Sequence, residues 1–297
     1  MNRRQSAYFL WVGSDLPDIA RVSIRSAVDA GFDTVLFTDR DLALPCHGVR
    51  RLDWREIELP WKPEQVRLHG SSKPYFAGFA NLFRYALLSQ NDGWWFDCDT
   101  IILRGAADFA ALLKAGRVVL GYEDAKVVNN AVIGSNNAQE MKKLYEAALP
   151  HYPLFQRWGV TGPRLVTALA AQTGRLHADL LSPEHFYPVH HGDIAQVYLP
   201  QCRAALEETS GNWFCLSLWN EVLSGSGLKY VSPPGGSFLG TLLSARPELG
   251  AIAGDPAGMA GFLAENLQQL DRMDSGRVAL ATLMRKGRQM IIRGSRG

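Results

Sequence analysis

Residues 6–13 read Ser-Ala-Tyr-Phe-Leu-Trp-Val-Gly, a short apolar run that ends at a turn residue. Apolar residues at helical spacing follow over residues 19–30, and the next residue is a glycine suited to end a helix. Further strands are predicted at residues 34–37 and 49–52. Strands that alternate with helices in this way build mostly parallel sheets with helices on the faces. The sequence therefore predicts an α/β fold.

The bulk composition limits the classes of protein that this chain can represent. Of its 297 residues 47% are hydrophobic, which is enough to bury a large core. The formal net charge of +2 is too small to indicate nucleic acid as the main partner. The four cysteines match no zinc template, and no apolar run approaches the ~20 residues that cross a bilayer. The N-terminus lacks a signal-peptide pattern, so we expect a cytoplasmic protein with reduced thiols.

A helix is predicted over residues 74–90, and it presents Asn81 and Arg84 on one face. Its apolar stripe consists of Phe76, Phe79, Phe83 and Leu87. An Asn-Asp-Gly turn follows, and the strand Trp94-Trp95-Phe96 leads into Asp97-Cys98-Asp99. Another apolar run continues beyond this triplet, at residues 101–103.

Asp97 and Asp99 are the candidate metal ligands. Two carboxylates at a turn offer hard oxygen atoms, which Mg²⁺ and Mn²⁺ prefer. Burying a carboxylate between apolar strands costs several kcal/mol of folding free energy unless the carboxylate is paired or bound to a metal. A second triplet, Asp39-Arg40-Asp41, has the same spacing but leads into a loop, and Arg40 is able to neutralise a neighbouring acid. We therefore assign the metal to Asp97 and Asp99. For Asp39 the open role is a contact with the edge of a nucleotide.

The later part of the chain carries a histidine-rich segment. Its titratable residues are His185, His190, His191 and Asp193. Imidazole and carboxylate groups suit zinc, but the spacing fits no common zinc template. We therefore expect solvated loop residues, with His190 or His191 in an acceptor pocket.

The C-terminal part reads as a helix from Met259 onward and ends in a basic tail, residues 285–296. Such a tail is typical of a solvated helix end, and its interleaved apolar residues also suit the inner face of a membrane. The sequence thus predicts a catalytic domain over residues 1–258 and a helical, basic extension over residues 259–297.

The run from Phe79 to Asp99 resembles the DXD-containing sugar-binding region of glycosyltransferase family 32. It is also distantly similar to the catalytic domains of glucosylating toxins. The usual family pattern is Ser-Asp-x-x-Arg-Tyr-x-x-Leu, a Gly-Gly turn and aromatic-x-Asp-x-Asp. Further landmarks occur in the family's order at residues 9–13, 129–131, 161–163, 186–188 and 218–220. The sequence departs from the pattern at three positions: Asn81 stands for the usual Asp, Ala80 for Ser, and Ser217 for the His of many members.

The resemblance implies a GT-A-like, Rossmann-type domain and a metal-dependent glycosyltransferase. The implied donor is a UDP-sugar or a GDP-sugar, with a hexosyl or N-acetylhexosaminyl group transferred. The implied acceptor is a hydroxyl of a glycan or glycolipid, as in the synthesis of lipopolysaccharide or capsule, and the donor's α configuration is retained.

The resemblance also assigns roles to single residues. The implied catalytic residues are Arg84, Asp97 and Asn130. The implied donor contacts are Trp11, Val12, Gly13, Asn81, Arg84, Trp95, Asp97 and Trp219. Asp97, Asp99 and Ser217 are the implied metal ligands, and Gly162, His190 and His191 the acceptor contacts. Each role competes with an ordinary structural one: core packing for the tryptophans, a surface ion pair for Arg84, and a helix start for Gly162.

Two other classes of protein remain open. In a phosphohydrolase of the haloacid-dehalogenase type, Asp97 would be the nucleophile and Asp99 the general acid. That motif normally opens its domain, whereas here about a third of the chain precedes it. A non-catalytic carbohydrate-binding module is the third alternative, and it requires that no metal bind at Asp97 and Asp99.

Overall fold

The computed structural model describes residues 5–13, 15–155, 157–226 and 228–254. The strands are β1 (Ser6–Leu10), β2 (Asp33–Phe37), β3 (Val49–Leu52), β4 (Arg67–Leu68), β5 (Gly93–Phe96), β6 (Thr100–Ile102), β7 (Val118–Tyr122), β8 (Val128–Ser135), β9 (Leu154–Phe155), β10 (Ala178–Leu181) and β11 (Cys215–Ser217). The α-helices are α1 (Asp18–Asp29), α2 (Phe76–Leu88), α3 (Ala106–Leu112), α4 (Ala138–Ala148), α5 (Pro163–Val166), α6 (Pro183–Phe186), α7 (Arg203–Ser210), α8 (Asn220–Ser226) and α9 (Phe238–Ala245). The predicted C-terminal helix, the basic tail and the domain boundary at residue 258 lie outside the described residues.

A seven-stranded sheet forms the centre of the described chain, in the order β10-β7-β8-β5-β1-β2-β3. All its strands run parallel except β8, which is antiparallel to both β5 and β7. The predicted α/β class with a mostly parallel sheet is therefore confirmed. The strand order reverses at β1, because β2 lies on one side of it and β5 on the other. Ligands of such sheets bind at the carboxyl ends of the strands beside this switch point.

Strand β1 shows why the strands read as continuous apolar runs. Ala7 and Phe9 pack on the face that α1 and α3 cover, while Tyr8 packs on the face of α2 and α4. Because helices cover both faces, neither set of alternating side chains is left for water. Because β1 and β5 run parallel, the loops that follow them lie at the same edge of the sheet.

Two predicted strands lie outside this sheet. β6 and β11 pair with each other as a two-stranded antiparallel ribbon, so residues 101–103 do not continue β5 and residues 212–218 do not complete the main sheet. The physical reason is a tight turn, in which Thr100 N–H donates to the carbonyl of Asp97 at 3.0 Å. The Asp-Cys-Asp triplet therefore occupies the turn between the sheet and the ribbon.

The segment after Thr161 also differs from the prediction. Instead of one helix over residues 161–172, α5 is a single turn that continues as a π-helical turn, Thr167–Gln172. Thr167 Oγ1 accepts from the backbone N–H of Val128 at 2.9 Å, which ties this turn to β8. Thr161 does not cap the helix, because Gly162 occupies the cap position.

Candidate active site

Asp97 lies directly after β5 at the switch point, and its carboxylate is held by two donors. Trp95 Nε1 donates to Oδ1 of Asp97 at 2.8 Å, and Arg84 Nη2 lies 2.9 Å from the same oxygen. The other oxygen, Oδ2, accepts no hydrogen bond from the described residues, and a third of the Asp97 side chain is exposed. One carboxylate oxygen is therefore fixed, and the other is available to a ligand.

Arg84 is buried rather than part of a helix-surface ion pair, with 3% of the residue exposed. Its Nε donates to the carbonyl of Ala80 at 3.2 Å, and its Nη1 donates to the carbonyl of Asn130. The guanidinium also lies over the Trp95 ring, 4.8 Å from its centroid. Trp95 is itself buried in the core, so it acts on the site through Arg84 and Asp97.

Asn81 and Asn130 form the centre of a buried polar network beside Arg84. Asn130 Nδ2 donates to Asn81 Oδ1 at 2.9 Å and lies 2.8 Å from the Tyr85 hydroxyl. Asn81 Nδ2 donates to Thr161 Oγ1 at a longer 3.4 Å. Gly162 packs against both amides, because a Cβ at this position would lie 3.0 Å from Asn81 Nδ2. The predicted site residues Asn81, Asn130 and Gly162 therefore lie in contact with one another. Thr161 and Tyr85 belong to the same network.

Asp99 faces the second half of the chain. Its Oδ2 accepts from the backbone N–H of Asn220 at 2.7 Å, and its carbonyl accepts from Leu218 N–H at 2.8 Å. Between these two residues, Trp219 adopts a left-handed backbone with φ of 50°, which is strained for a bulky side chain. Ser217, the predicted third ligand, is buried on β11 opposite Thr100.

A second group of polar side chains lies on the opposite face of the sheet from Arg84. Trp219 Nε1 donates to a loop carbonyl, and its ring lies 5.6 Å from that of His191. The rings of His190 and His191 lie 3.8 Å apart. Nearby, Asn129 Nδ2 donates to Oε2 of Glu123, and burial raises the pKa of this glutamate. The two faces meet at the Asp97-Cys98-Asp99 triplet, because Asp99 accepts a hydrogen bond from Asn220, the residue after Trp219.

Trp11, Val12 and Gly13 form the loop directly after β1, between the carboxyl ends of β2 and β5. Trp11 N–H donates to the carbonyl of Phe37 at 2.9 Å, which fixes the loop to the end of β2. Trp11 Nε1 is buried without a hydrogen-bond partner among the described residues. A buried donor of this kind is costly and is suited to a ligand acceptor.

The second acidic triplet is neutralised by arginines. Arg40 Nε lies 3.5 Å from Asp39 Oδ1, and Arg51 pairs with Asp41. The Asp41 side chain is 94% exposed, so it forms no enclosed site. Across the described ranges, no three His, Cys, Asp or Glu side chains are grouped to hold a metal.

The electrostatics of the Asp97 triplet favour a bound cation. Burial raises the pKa of Asp99 to about 6, and the negative charge of Asp97 adds to this shift. Burial also raises the pKa of Asp97, although the Arg84 charge and its hydrogen bonds act against it. Two carboxylates that resist ionisation side by side are stabilised by a divalent cation.

The available oxygen atoms fit Mg²⁺ or Mn²⁺. Asp97 Oδ2 is unengaged within the described residues, and Asp99 adds a second carboxylate. With two carboxylates from the protein, the remaining ligands would be water and phosphate oxygens, which is the usual arrangement for Mg²⁺. The available carboxylate oxygens therefore suit a hard divalent cation.

The family resemblance named site residues on both faces, among them Trp219, His190 and His191 on the face opposite Arg84. It missed Glu123, which carried no motif signal because it reaches the site only through the β7–β8 connection. Asn220 belonged to a family landmark, but its contact with Asp99 was not predicted. The polarity of Glu123 beside an apolar strand was the one available indication.

The chain was compared with known proteins. No family model and no curated protein matches it. Among solved structures, the PaToxG glycosyltransferase is similar over 70% of this chain and 78% of its own, with 17% identity and a TM-score of 0.37. The bifunctional glycosyltransferase WbbM, in its apo form, is similar over 74% of this chain with 9% identity and a TM-score of 0.36. This chain spans 46% of the WbbM chain. Similarity at this level is too weak to transfer a function.

Proposed function

We propose that the protein is a glycosyltransferase that takes a sugar from a nucleotide-sugar with the help of Mg²⁺ or Mn²⁺. One observation carries the proposal: Asp97 and Asp99 lie at the switch point of a mostly parallel sheet, each held by one oxygen. Arg84 and Trp95 hold the first, and Asn220 N–H holds the second. Such a rigid pair of carboxylates at this place suits a cation that faces a diphosphate.

The residues around the triplet have separate tasks in this proposal. Asp97 and Asp99 would hold the cation, which supplies positive charge to the leaving diphosphate. Arg84 fixes Asp97, and its buried charge adds to the positive potential at the phosphates. Asn81 and Asn130 offer amide groups to sugar hydroxyls, and Trp11 offers its unpartnered Nε1 to the nucleotide.

The acceptor belongs, in this proposal, on the side of Trp219 and His191. There the Glu123 carboxylate is partly buried and its pKa is raised, so it suits hydrogen bonding to a sugar hydroxyl. The preference for a UDP-sugar, the retention of the α configuration and a glycan or glycolipid acceptor rest on the family resemblance. They remain part of the proposal.

The decisive experiment measures nucleotide-sugar hydrolysis by the full chain with and without Mn²⁺. Asp99→Asn keeps an oxygen for the Asn220 N–H but removes the charge, so we expect hydrolysis to fall at least ~10²-fold with the fold intact. Asp41→Asn is the matched control, because Asp41 belongs to the neutralised second triplet. Mn²⁺ binding, followed by electron paramagnetic resonance, should weaken in Asp99→Asn alone.

The outcomes separate the three classes of protein. Release of UDP or GDP that depends on Mn²⁺ and on Asp99 supports the transferase. Cleavage of an aryl phosphate through a phosphoenzyme at Asp97, with nucleotide-sugars untouched, would establish the phosphohydrolase instead. Sugar binding without Mn²⁺ binding and without hydrolysis would leave the carbohydrate-binding module.

A further inference from the structure

Exposed apolar side chains are concentrated on one part of the described surface. Of the four large apolar side chains exposed in the described ranges, Phe76, Leu154 and Trp158 lie on two adjoining segments, at 44%, 55% and 59% exposure. The sequence pattern placed Phe76 in the buried stripe of α2, and this is wrong. An exposed aromatic and aliphatic group of this kind marks an interaction site more often than single exposed residues do.

Several contacts join the two segments into one surface. The rings of Tyr75 and Phe155 lie 5.4 Å apart, and Gly159 N–H donates to the Tyr75 hydroxyl at 3.2 Å. Arg67 on β4 pairs with Leu154 on β9, so their side chains leave the ribbon on the same face. Each exposed apolar residue is thus adjacent to, or part of, one of these contacts. We name residues 61–76, 151–155 and 157–166 the apical surface.

The apical surface is strongly basic. Its cations are Lys62, Arg67, Lys73, Arg157 and Arg164. Glu64 is its one acidic residue, so its net charge of +4 exceeds the +2 of the whole chain. Within the described part of the chain, none of the five cations forms an ion pair. The described residues therefore leave these charges without a counter-charge.

The apical surface adjoins the candidate active site. Phe76 opens α2, and Arg84 lies eight residues further on, which is about 12 Å along a helix axis. The Tyr152 hydroxyl donates to the carbonyl of Gly78 and contacts Thr161, which belongs to the Asn81 network. A partner on this surface would therefore lie close to the Asn81 network of the candidate site.

We propose that the apical surface docks on an anionic lipid bilayer. Tryptophan and phenylalanine insert at the headgroup level of a membrane, and neighbouring cations bind anionic headgroups. A second copy of this chain fits poorly, because two surfaces of the same charge would repel each other. The proposal goes beyond the proposed function and does not depend on it.

Vesicle co-sedimentation of the full chain tests this surface without a nucleotide-sugar or a metal. We expect binding to phosphatidylserine-containing vesicles and much weaker binding to pure phosphatidylcholine. Arg157→Ala combined with Arg164→Ala should weaken binding about 25-fold, since each cation contributes about fivefold, or about 1 kcal/mol. Trp158→Ala should weaken it about tenfold. Leu44→Ala, at an exposed apolar residue elsewhere, is the matched control and should bind normally.

A second readout reports insertion directly. Brominated lipids should quench tryptophan fluorescence in the wild type, and Trp158→Phe should remove most of this quenching while binding persists. A variant with Arg285, Lys286 and Arg288 changed to alanine separates the basic tail from the apical surface. The proposal is overturned if the wild type binds no vesicles, if only the tail variant loses binding, or if Trp158→Ala instead abolishes a dimer in solution. Each of these results leaves the proposed function untouched.

Discussion

Replacing Arg84 by methionine tests whether the buried ion pair organises the candidate site. Methionine keeps an unbranched side chain on α2 but removes the guanidinium. The wild-type group lies 2.9 Å from Asp97 Oδ1 and 4.8 Å from the Trp95 centroid, and it donates to the carbonyls of Ala80 and Asn130. The substitution therefore leaves the Asp97 carboxylate without its counter-charge.

The expected magnitude follows from the burial of the two partners. Removing one partner from a fully buried pair costs about 3–5 kcal/mol. The Arg84 side chain is 4% exposed, but that of Asp97 is 33% exposed, so water stabilises part of the abandoned charge. We therefore expect Arg84→Met to lower the free energy of unfolding by about 2–3 kcal/mol. Its coupling with Asp97→Asn should be about 1–2 kcal/mol, since the amide removes the charge that Arg84 compensates.

The assay is urea unfolding followed by circular dichroism, in the presence of a chelator, for both single variants and the double variant. The exposed pair of Arg50 and Asp33, at 3.3 Å, supplies the control cycle. We expect a coupling below about 0.5 kcal/mol there, as for other exposed pairs. A coupling at Arg84 and Asp97 no larger than that of the control would refute the idea that this ion pair organises the site.

Two further variants test the surroundings of the site and the pH response of the fold. Gly162→Ala places a Cβ 3.0 Å from Asn81 Nδ2, so it should lower the free energy of unfolding by about 1–3 kcal/mol, and an unchanged melting temperature would contradict this packing. At Glu140, burial acts to raise the pKa, but hydrogen bonds from Lys143 and from the backbone of His177 outweigh it and lower the pKa below 4.5. A lowered folded-state pKa gives stability that is present above the unfolded value and is lost as the pH falls through the folded value. Glu140→Gln should therefore be about 1–2 kcal/mol less stable than wild type at pH 7, and unfolding measured down to pH 3 should show this difference shrink below about pH 4.5 rather than stay constant.

The sequence predicted the main sheet because its strands are covered on both faces. Residues such as Phe9, Val35 and Trp95 are buried whichever way they point, so each strand reads as an apolar run. Helix α2 was predicted for a related reason, since it is buried over most of its circumference from Phe79 to Leu88. Local patterns suffice where burial alone decides the element.

The ribbon of β6 and β11 shows where local patterns fail. Ile101 and Ile102 are as apolar as the strand before the triplet, yet one hydrogen bond from Thr100 to Asp97 turns the chain out of the main sheet. The pairing partner, Cys215, lies more than a hundred residues further along the chain. An apolar run indicates that a strand is buried, but it does not predict which sheet the strand joins.

The candidate site divides in the same way. Arg84, Trp95 and Asp97 are close in sequence, because α2 leads directly into β5, and the family resemblance assigned them to one site. Glu123 and Asn220 approach from distant segments, and no spacing pattern connects them to Asp97. Tertiary packing alone brings these residues together, so Glu123 and the contact of Asn220 with Asp99 emerged only from the structure.

Asn81 stands where the resembled family usually has aspartate, and this difference changes the charge of the candidate site. With a neutral amide here, Arg84, Asp97 and Asp99 sum to a charge of −1, whereas an aspartate would make it −2. Inside the network the amide uses both of its functions, accepting from Asn130 at 2.9 Å and donating to Thr161 at 3.4 Å. An aspartate would keep the first bond, require the Thr161 hydroxyl to donate in the second, and bury another charge. The bond to Thr161 is the longer one, so Asn81 Nδ2 is the group most readily redirected to a sugar hydroxyl. In the proposed function, a cation at Asp97 and Asp99 would then carry more of the attraction for the diphosphate, while Asn81 would contribute direction rather than charge.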